Sequence, residues 1–140
     1  MSKTATTDLA NEVRIACQRV SRRVRFESAG ELAPHLVSAL STLKHGARTP
    51  SELADAERVS GPSMTRTVGF LIERGLVASA DNPADGRSKL LSLTEAGWAE
   101  LDQVRKARDD WMERKLAGLT DEERQLLRKA TELLNTVLER

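Results

Sequence analysis

Residues 49–94 read TPSELADAERVSGPSMTRTVGFLIERGLVASADNPADGRSKLLSLT. Thr49, Pro50 and Glu52 supply a hydroxyl cap, a proline suited to the first helical position, and an acid three residues after the cap. Together they write a helix start whose exposed N–H groups are satisfied reciprocally. That helix is short, with Leu53 and Ala54 inward, and Val59-Ser60-Gly61-Pro62 ends it and caps the next. In the second helix Met64, Val68 and Leu71 fall at i, i+4, i+7, one apolar stripe at helical period. Arg74-Gly75 stops it with a cation in the last turn and a glycine beyond. Two short helices around a tight polar turn, the second amphipathic, predict a helix-turn-helix.

At about 100° per residue, the second helix turns Pro62, Ser63, Arg66, Gly69 and Phe70 outward, with Thr65 and Thr67 flanking them. Small hydroxyls beside an arginine enter a major groove without filling it, and arginine forks onto guanine. The plain alternative is an ordinary solvated helix face. The residues after Gly75 argue against it. Leu76 to Ala80 and Lys89 to Leu93 are short apolar-rich runs separated by Asn-Pro and Asp-Gly turn signals. A hairpin directly after a helix-turn-helix, with Arg87 and Lys89 near its tip, is a wing.

Leu53-Ala54, Val59-Ser60, Pro62-Ser63-Met64-Thr65-Arg66 and Leu71-Ile72-Glu73-Arg74-Gly75-Leu76-Val77, followed by Asp85-Gly86-Arg87-Ser88-Lys89 and Leu93-Thr94, resemble the winged-helix core of the MarR family. These are bacterial transcription regulators of the multiple-antibiotic-resistance type. The D-x-R wing ending in L-T is the most diagnostic part, and the flanking helices match in length and order. Phe70 departs from the resemblance, since such proteins usually carry a polar or basic residue there. The resemblance implies a mainly α fold with a small β-hairpin wing (α+β), a winged helix-turn-helix between long N- and C-terminal dimerisation helices. It makes residues 1–140 a single domain, 47–95 the DNA-binding lobe, and 8–27 and 96–139 the dimerisation region. DNA contacts fall to Ser60, Pro62, Ser63, Thr65, Arg66, Thr67, Arg87, Ser88 and Lys89. Bases are read chiefly by Ser63, Thr65 and Arg66, and phosphates are gripped by the wing and the helix N-terminus. Asp85 is the implied wing support. The partner is double-stranded DNA with a pseudo-palindromic operator, bound by a homodimer, with repression the family's common mode.

Composition bounds these readings. A chain of 140 residues can bury a real core. With 22 Lys and Arg against 21 Asp and Glu, the net charge is +1, so DNA binding must come from local asymmetry. The lone Cys17 excludes an internal disulfide and fits a reducing cytoplasm. No apolar run is long enough to span a membrane, and the start lacks the apolar core of a signal peptide.

Asp8 to Phe26 reads as the first helix, with Leu9, Val13, Cys17, Val20 and Val24 on its stripe and Arg19, Arg22, Arg23 and Arg25 crowding its end. Without aromatic or glycine scaffolding, that cluster reads as a solvated face. Ala33 to His45 is the second helix, with Leu36, Leu40 and Leu43 inward. His35 and His45 lie nearly three turns apart, too far to share a metal. Cys17 beside an apolar stripe behaves as a small hydrophobe; some MarR-like regulators sense peroxide through a first-helix cysteine helped by tyrosines, and this sequence has no tyrosine. Thr94 caps a helix to Leu116, roughly 33 Å long at 1.5 Å per residue, with Trp98, Leu101, Val104, Trp111 and Met112 on its buried side. Thr120 to Glu123 is a second capping box. Leu126, Leu127, Leu133, Leu134 and Val137 then form the strongest stripe in the chain. With Leu9 and Val13, that stripe predicts pairing with a second copy.

An inducer, where the family usually places one, would be a small aromatic or anionic molecule held by Leu36, Leu40, Trp98 and Leu101 with Arg14 or Arg19 as anion partner. No cofactor or metal is implied. Catalysis is not either: Gly61-Pro62-Ser63-Met64-Thr65 approaches a nucleophile elbow but lacks the second glycine and a preceding strand. The rival function is a winged-helix protein-interaction module without sequence-specific DNA binding.

Overall fold

The computed structural model describes residues 3–140; residues 1 and 2, at the head of the expected single domain, lie outside them. The described residues form α1 (Lys3–Glu27), α2 (Pro34–Leu43), α3 (Pro50–Glu57), α4 (Gly61–Glu73), β1 (Val77–Asp81), β2 (Lys89–Leu93), α5 (Glu95–Leu116) and α6 (Asp121–Leu138). This is a winged helix-turn-helix between long terminal helices, mainly α with one two-stranded antiparallel hairpin.

Local chemistry sets most boundaries. Thr49 accepts the Glu52 N–H at 3.1 Å while Glu52 accepts the Thr49 N–H at 3.1 Å, closing the capping box of α3. Thr120 and Glu123 do the same for α6, and Thr94 caps α5. The stop of α3 comes one residue before the expected Val59-to-Pro62 break, at Arg58, held left-handed at φ 56°, a conformation that costs any residue but glycine. Two helices differ from their expected spans. α1 starts five residues earlier, at Lys3 rather than Asp8, and α2 is trimmed to Pro34–Leu43 from Ala33–His45.

One core unites α2, α3, α4, the hairpin and the first half of α5. Leu40, Leu53, Leu71 and Leu91 are fully enclosed, with Leu36, Val37, Met64, Val68 and Leu101 around them. The stripe of Met64, Val68 and Leu71 is buried as its period requires. Trp98 corrects the reading of α5: it is 45% exposed, whereas Trp111 is buried. Gly97, directly before Trp98, takes the inward position instead, and the helix turns the indole to the edge. By contrast, neither α1 nor α6 buries a single residue.

Candidate nucleic-acid interface

The N-terminus of α4 is built from Ser60-Gly61-Pro62-Ser63. The Ser60 hydroxyl accepts the Ser63 N–H at 3.2 Å, the Met64 N–H bonds the Ser60 carbonyl, and Pro62 has no N–H to give. Among the described residues this leaves the Ser60 and Gly61 N–H groups without a hydrogen-bond partner at this end. Pro62, Thr65 and Arg66 are exposed, Ser63 and Thr67 half-buried. The Thr65 hydroxyl donates to the Gly61 carbonyl at 3.0 Å, which leaves its lone pairs and methyl to face outward. Arg66 has no ion pair or ring contact among the described residues. Further along the same face the Arg74 guanidinium lies 5.1 Å over the Phe70 ring and 3.8 Å from the Glu31 carboxylate. Phe70 is therefore covered in part by a cation, and the polar face is confined to the first two turns.

The wing comes directly after α4. β1 and β2 pair in register from Val77↔Leu93 to Asp81↔Lys89. Its loop is tied internally: the Asn82 carboxamide accepts the Ala84 N–H at 3.0 Å and donates to Ser88 at 3.0 Å. The Asp85 carboxylate accepts the Arg87 N–H at 3.0 Å, holding the turn through the backbone rather than through an arginine side chain. The three expected wing contacts are thus unequal. Arg87 is exposed and its side chain has no partner among the described residues, Ser88 is spent within the loop, and Lys89 pairs across the hairpin with Asp81. That lysine's hydrogen bond and charge hold the Asp81 carboxyl below its usual range.

Contacts between elements hold helix and wing together. The Thr94 hydroxyl donates to the Gly75 carbonyl at 2.6 Å and accepts the Gly97 N–H at 3.1 Å. The Thr94 N–H bonds the Leu76 carbonyl. A Cβ on Gly97 would stand 2.2 Å from that same Leu76 oxygen, so only glycine lets α5 approach the strand this closely. Gly75, at φ 75°, turns the chain from α4 into β1. On the other side Glu57, at the end of α3, accepts from Ser38 and from Thr42 of α2 at 2.9 and 3.0 Å. Arg48 adds a single bridge to β2 through its N–H and carbonyl on Leu91. The L-T-x-x-G run at 93–97 was the available signal for Gly97; nothing local announces Glu57 or Arg48.

The six expected pocket residues do not gather around a cavity. Leu36, Leu40 and Leu101 are core, Trp98 lies at the surface, Arg14 bonds Asn11 and Gln18 on its own helix, and Arg19 lines a separate groove between α1 and α5. A cavity of about 450 Å³ does open where α1, α2 and α5 meet, lined by Arg25, Glu31, Val37, Glu100, Val104 and Arg108 among others. Cys17 is exposed on α1. The arginine cluster is only partly free: Arg23 pairs with Glu27 at 2.5 Å and lies 5.7 Å over the Trp111 ring, with Lys115 5.4 Å from that ring. The Arg23 hydrogen bond, foremost, holds the Glu27 carboxyl below its usual range.

Known proteins share this arrangement. The MarR family pattern matches residues 36–88, from α2 through the wing loop. An HTH-type transcriptional regulator of Mycobacterium tuberculosis (strain CDC 1551 / Oshkosh) is 41% identical over 128 residues, 90% of each chain. A protein of known structure from Pseudomonas aeruginosa PA01 superposes with a TM-score of 0.80 at 28% identity, covering 99% of both chains. Wild-type MarR of E. coli in its apo form superposes with a TM-score of 0.76 at 25% identity, over 93% of this chain and 96% of that one. These likenesses favour DNA binding over a protein-interaction module.

Proposed function

The chain belongs to the MarR family of winged-helix transcription regulators, and we propose that it acts as a homodimeric repressor straddling a pseudo-palindromic operator. It is a DNA-binding transcription regulator; the dimer, the contact residues and the effector are the proposal. The observation that carries the contacts is the pairing of two uncommitted arginines, Arg66 on the polar first turns of α4 and Arg87 on the wing. Arg66, with Ser63 and Thr65, suits base edges in a major groove. Arg87 suits the flanking backbone or a narrow minor groove, Lys89 adding charge beside it.

The dimer is supported by uncovered area. The chain exposes 10483 Å², whereas a compact monomer of its 15.4 kDa mass exposes about 7,200 Å². The surplus exceeds what one partner buries in a stable interface, and most exposed large apolar side chains lie on α1 and α6, among them Leu9, Leu126, Leu127, Leu133, Leu134 and Val137. A two-fold pair places two recognition helices about 34 Å apart, one turn of DNA. Such a clamp over a promoter excludes polymerase, and an effector in the α1–α2–α5 cavity would release it. No helix among the described residues is long and apolar enough to cross a membrane; we place the protein in the cytoplasm, beside its DNA, and assign it no catalysis. Retardation of promoter fragments from the host genome by the full chain tests the reading. A band that survives excess scrambled competitor is expected. A folded dimer that retards no fragment beyond the scrambled control would return the protein to the interaction-module class.

A further inference from the structure

The α1–α2–α5 cavity is electrically divided. Glu100 and Arg108 both line it from α5, eight residues apart, so about 12 Å separates them along the helix axis. Arg25 sits at the Arg108 end, because Arg23, two residues before it, lies over Trp111 and fixes that stretch of α1 beside the same part of α5. Glu31 is in contact with Arg74 at the end of α4, which marks it as belonging to the lobe that carries the wing. One end of the cavity therefore presents two guanidiniums and the other two carboxylates, with Val37 and Val104 among the apolar lining between them. None of the four charges is paired with another: Arg25, Arg108 and Glu100 have no ion pair among the described residues, and Glu31 reaches only Arg74, outside the cavity, at 3.8 Å.

A purely anionic ligand would satisfy the guanidiniums and meet the carboxylates with repulsion; a cation would do the reverse. Arg25 and Glu31 are exposed and serve as outer charges, whereas Glu100 and Arg108 are half-buried. Half-buried charges are costly unless each finds its complement, and a volume of about 450 Å³ is that of a small-molecule site. We propose that the effector of this protein is amphoteric: an apolar body about 10 Å long with an anionic group at the Arg25–Arg108 end and a cationic group at the Glu31–Glu100 end. This rests on the proposed release of DNA by an effector in that cavity, and narrows the ligand from an anionic to a double-ended molecule.

The test uses the full chain and three probes of one length: 8-aminooctanoic acid, octanoic acid and octylamine. Binding is followed by methyl NMR of Val37 and Val104, and operator affinity is measured in parallel. The amphoteric probe should bind about tenfold tighter than either single-ended one. Arg108→Gln should abolish its advantage over octylamine, and Glu100→Gln its advantage over octanoic acid, both variants keeping the parent melting temperature. Octanoic acid binding as tightly as the amphoteric probe, or no probe shifting Val37 and Val104 at millimolar concentration, overturns the proposal. Tight amphoteric binding that leaves operator affinity unchanged supports the ligand class and refutes its role as inducer, so the two readings fail separately.

Discussion

At the scale of the residue, the proposed DNA contacts rest on side chains that have no partner among the described residues, and the packing of α5 rests on one position that has no side chain. Arg66 and Arg87 are both uncommitted, but they stand on different elements and should fail differently. Arg66→Ala should cost about 1–3 kcal/mol of operator affinity and relax preference at one position per half-site. Arg87→Ala should weaken all sequences alike and lower the salt slope by about one ion per subunit. Titrations across salt concentrations and a scrambled-site library check both, and the opposite pattern would make Arg87 the reader. Lys89→Ala should change DNA affinity less than Arg87→Ala, since Lys89 is already held by Asp81. Gly97→Ala should lower stability by about 1–3 kcal/mol or more, because the added carbon meets a backbone oxygen that cannot swing away; urea unfolding measures it, and an unchanged midpoint would mean α5 slides freely on the wing. Glu52 carries a pH signature. Its carboxyl is held below the usual range, first by the Thr49 backbone N–H and then by the Thr49 side chain. A lowered folded pKa contributes stability above the unfolded value, and that contribution is lost as pH falls through the folded one. Glu52→Gln keeps an acceptor for Thr49 but no longer titrates, so its melting temperature should fall less steeply with acid than the parent's.

At the scale of the element, α4 and the wing are positioned by bolts of few atoms, while α1 leans on its own chain chiefly along α5 and α6 buries no residue at all. Thr94 fastens three things at once: the end of α4 through Gly75, the start of β1 through Leu76, and the first turn of α5 through Gly97. Glu57 fastens α3 to α2 through two hydroxyls. The last helix, in contrast, presents its whole leucine side to solvent. Glutamates at Leu127 and Leu134 should therefore split the proposed dimer without unfolding the winged lobe, since an unpaired charge buried between helices costs several kcal/mol. Sedimentation at micromolar concentration shows the outcome; a double variant that remains dimeric moves the interface elsewhere.

At the scale of the whole molecule, the core lies in the winged lobe, and the helical extension carries the proposed assembly. The core lies in α2, α3, α4, the hairpin and the first half of α5, so a fragment limited to residues 47–95 loses α2 and most of α5. It should be monomeric, poorly ordered and weak on DNA; circular dichroism and mobility shift together check this, and a well-folded fragment with full affinity would show that the lobe needs neither. The sequence by itself determined the helix-turn-helix, the spans of the two wing strands to within a residue, the caps at Thr49, Ser60, Thr94 and Thr120, and the apolar surplus of α6. Each is a matter of local chemistry: a hydroxyl within reach of an N–H three residues on, or a period of 3.6 or 2 in apolar positions. Only the tertiary structure decided the rest. Trp98 and Gly97 are neighbours on one helical turn, and which of them faces inward depends on a strand oxygen supplied by Leu76. Leu36, Leu40 and Leu101 look the same in sequence whether they wall a pocket or fill a core; the packing of α5 on α2 made them core. The same packing brought Arg25 and Glu31 around one cavity with Glu100 and Arg108, some seventy residues further on, a conjunction that no local pattern encodes because charge spacing in space is set by how helices cross.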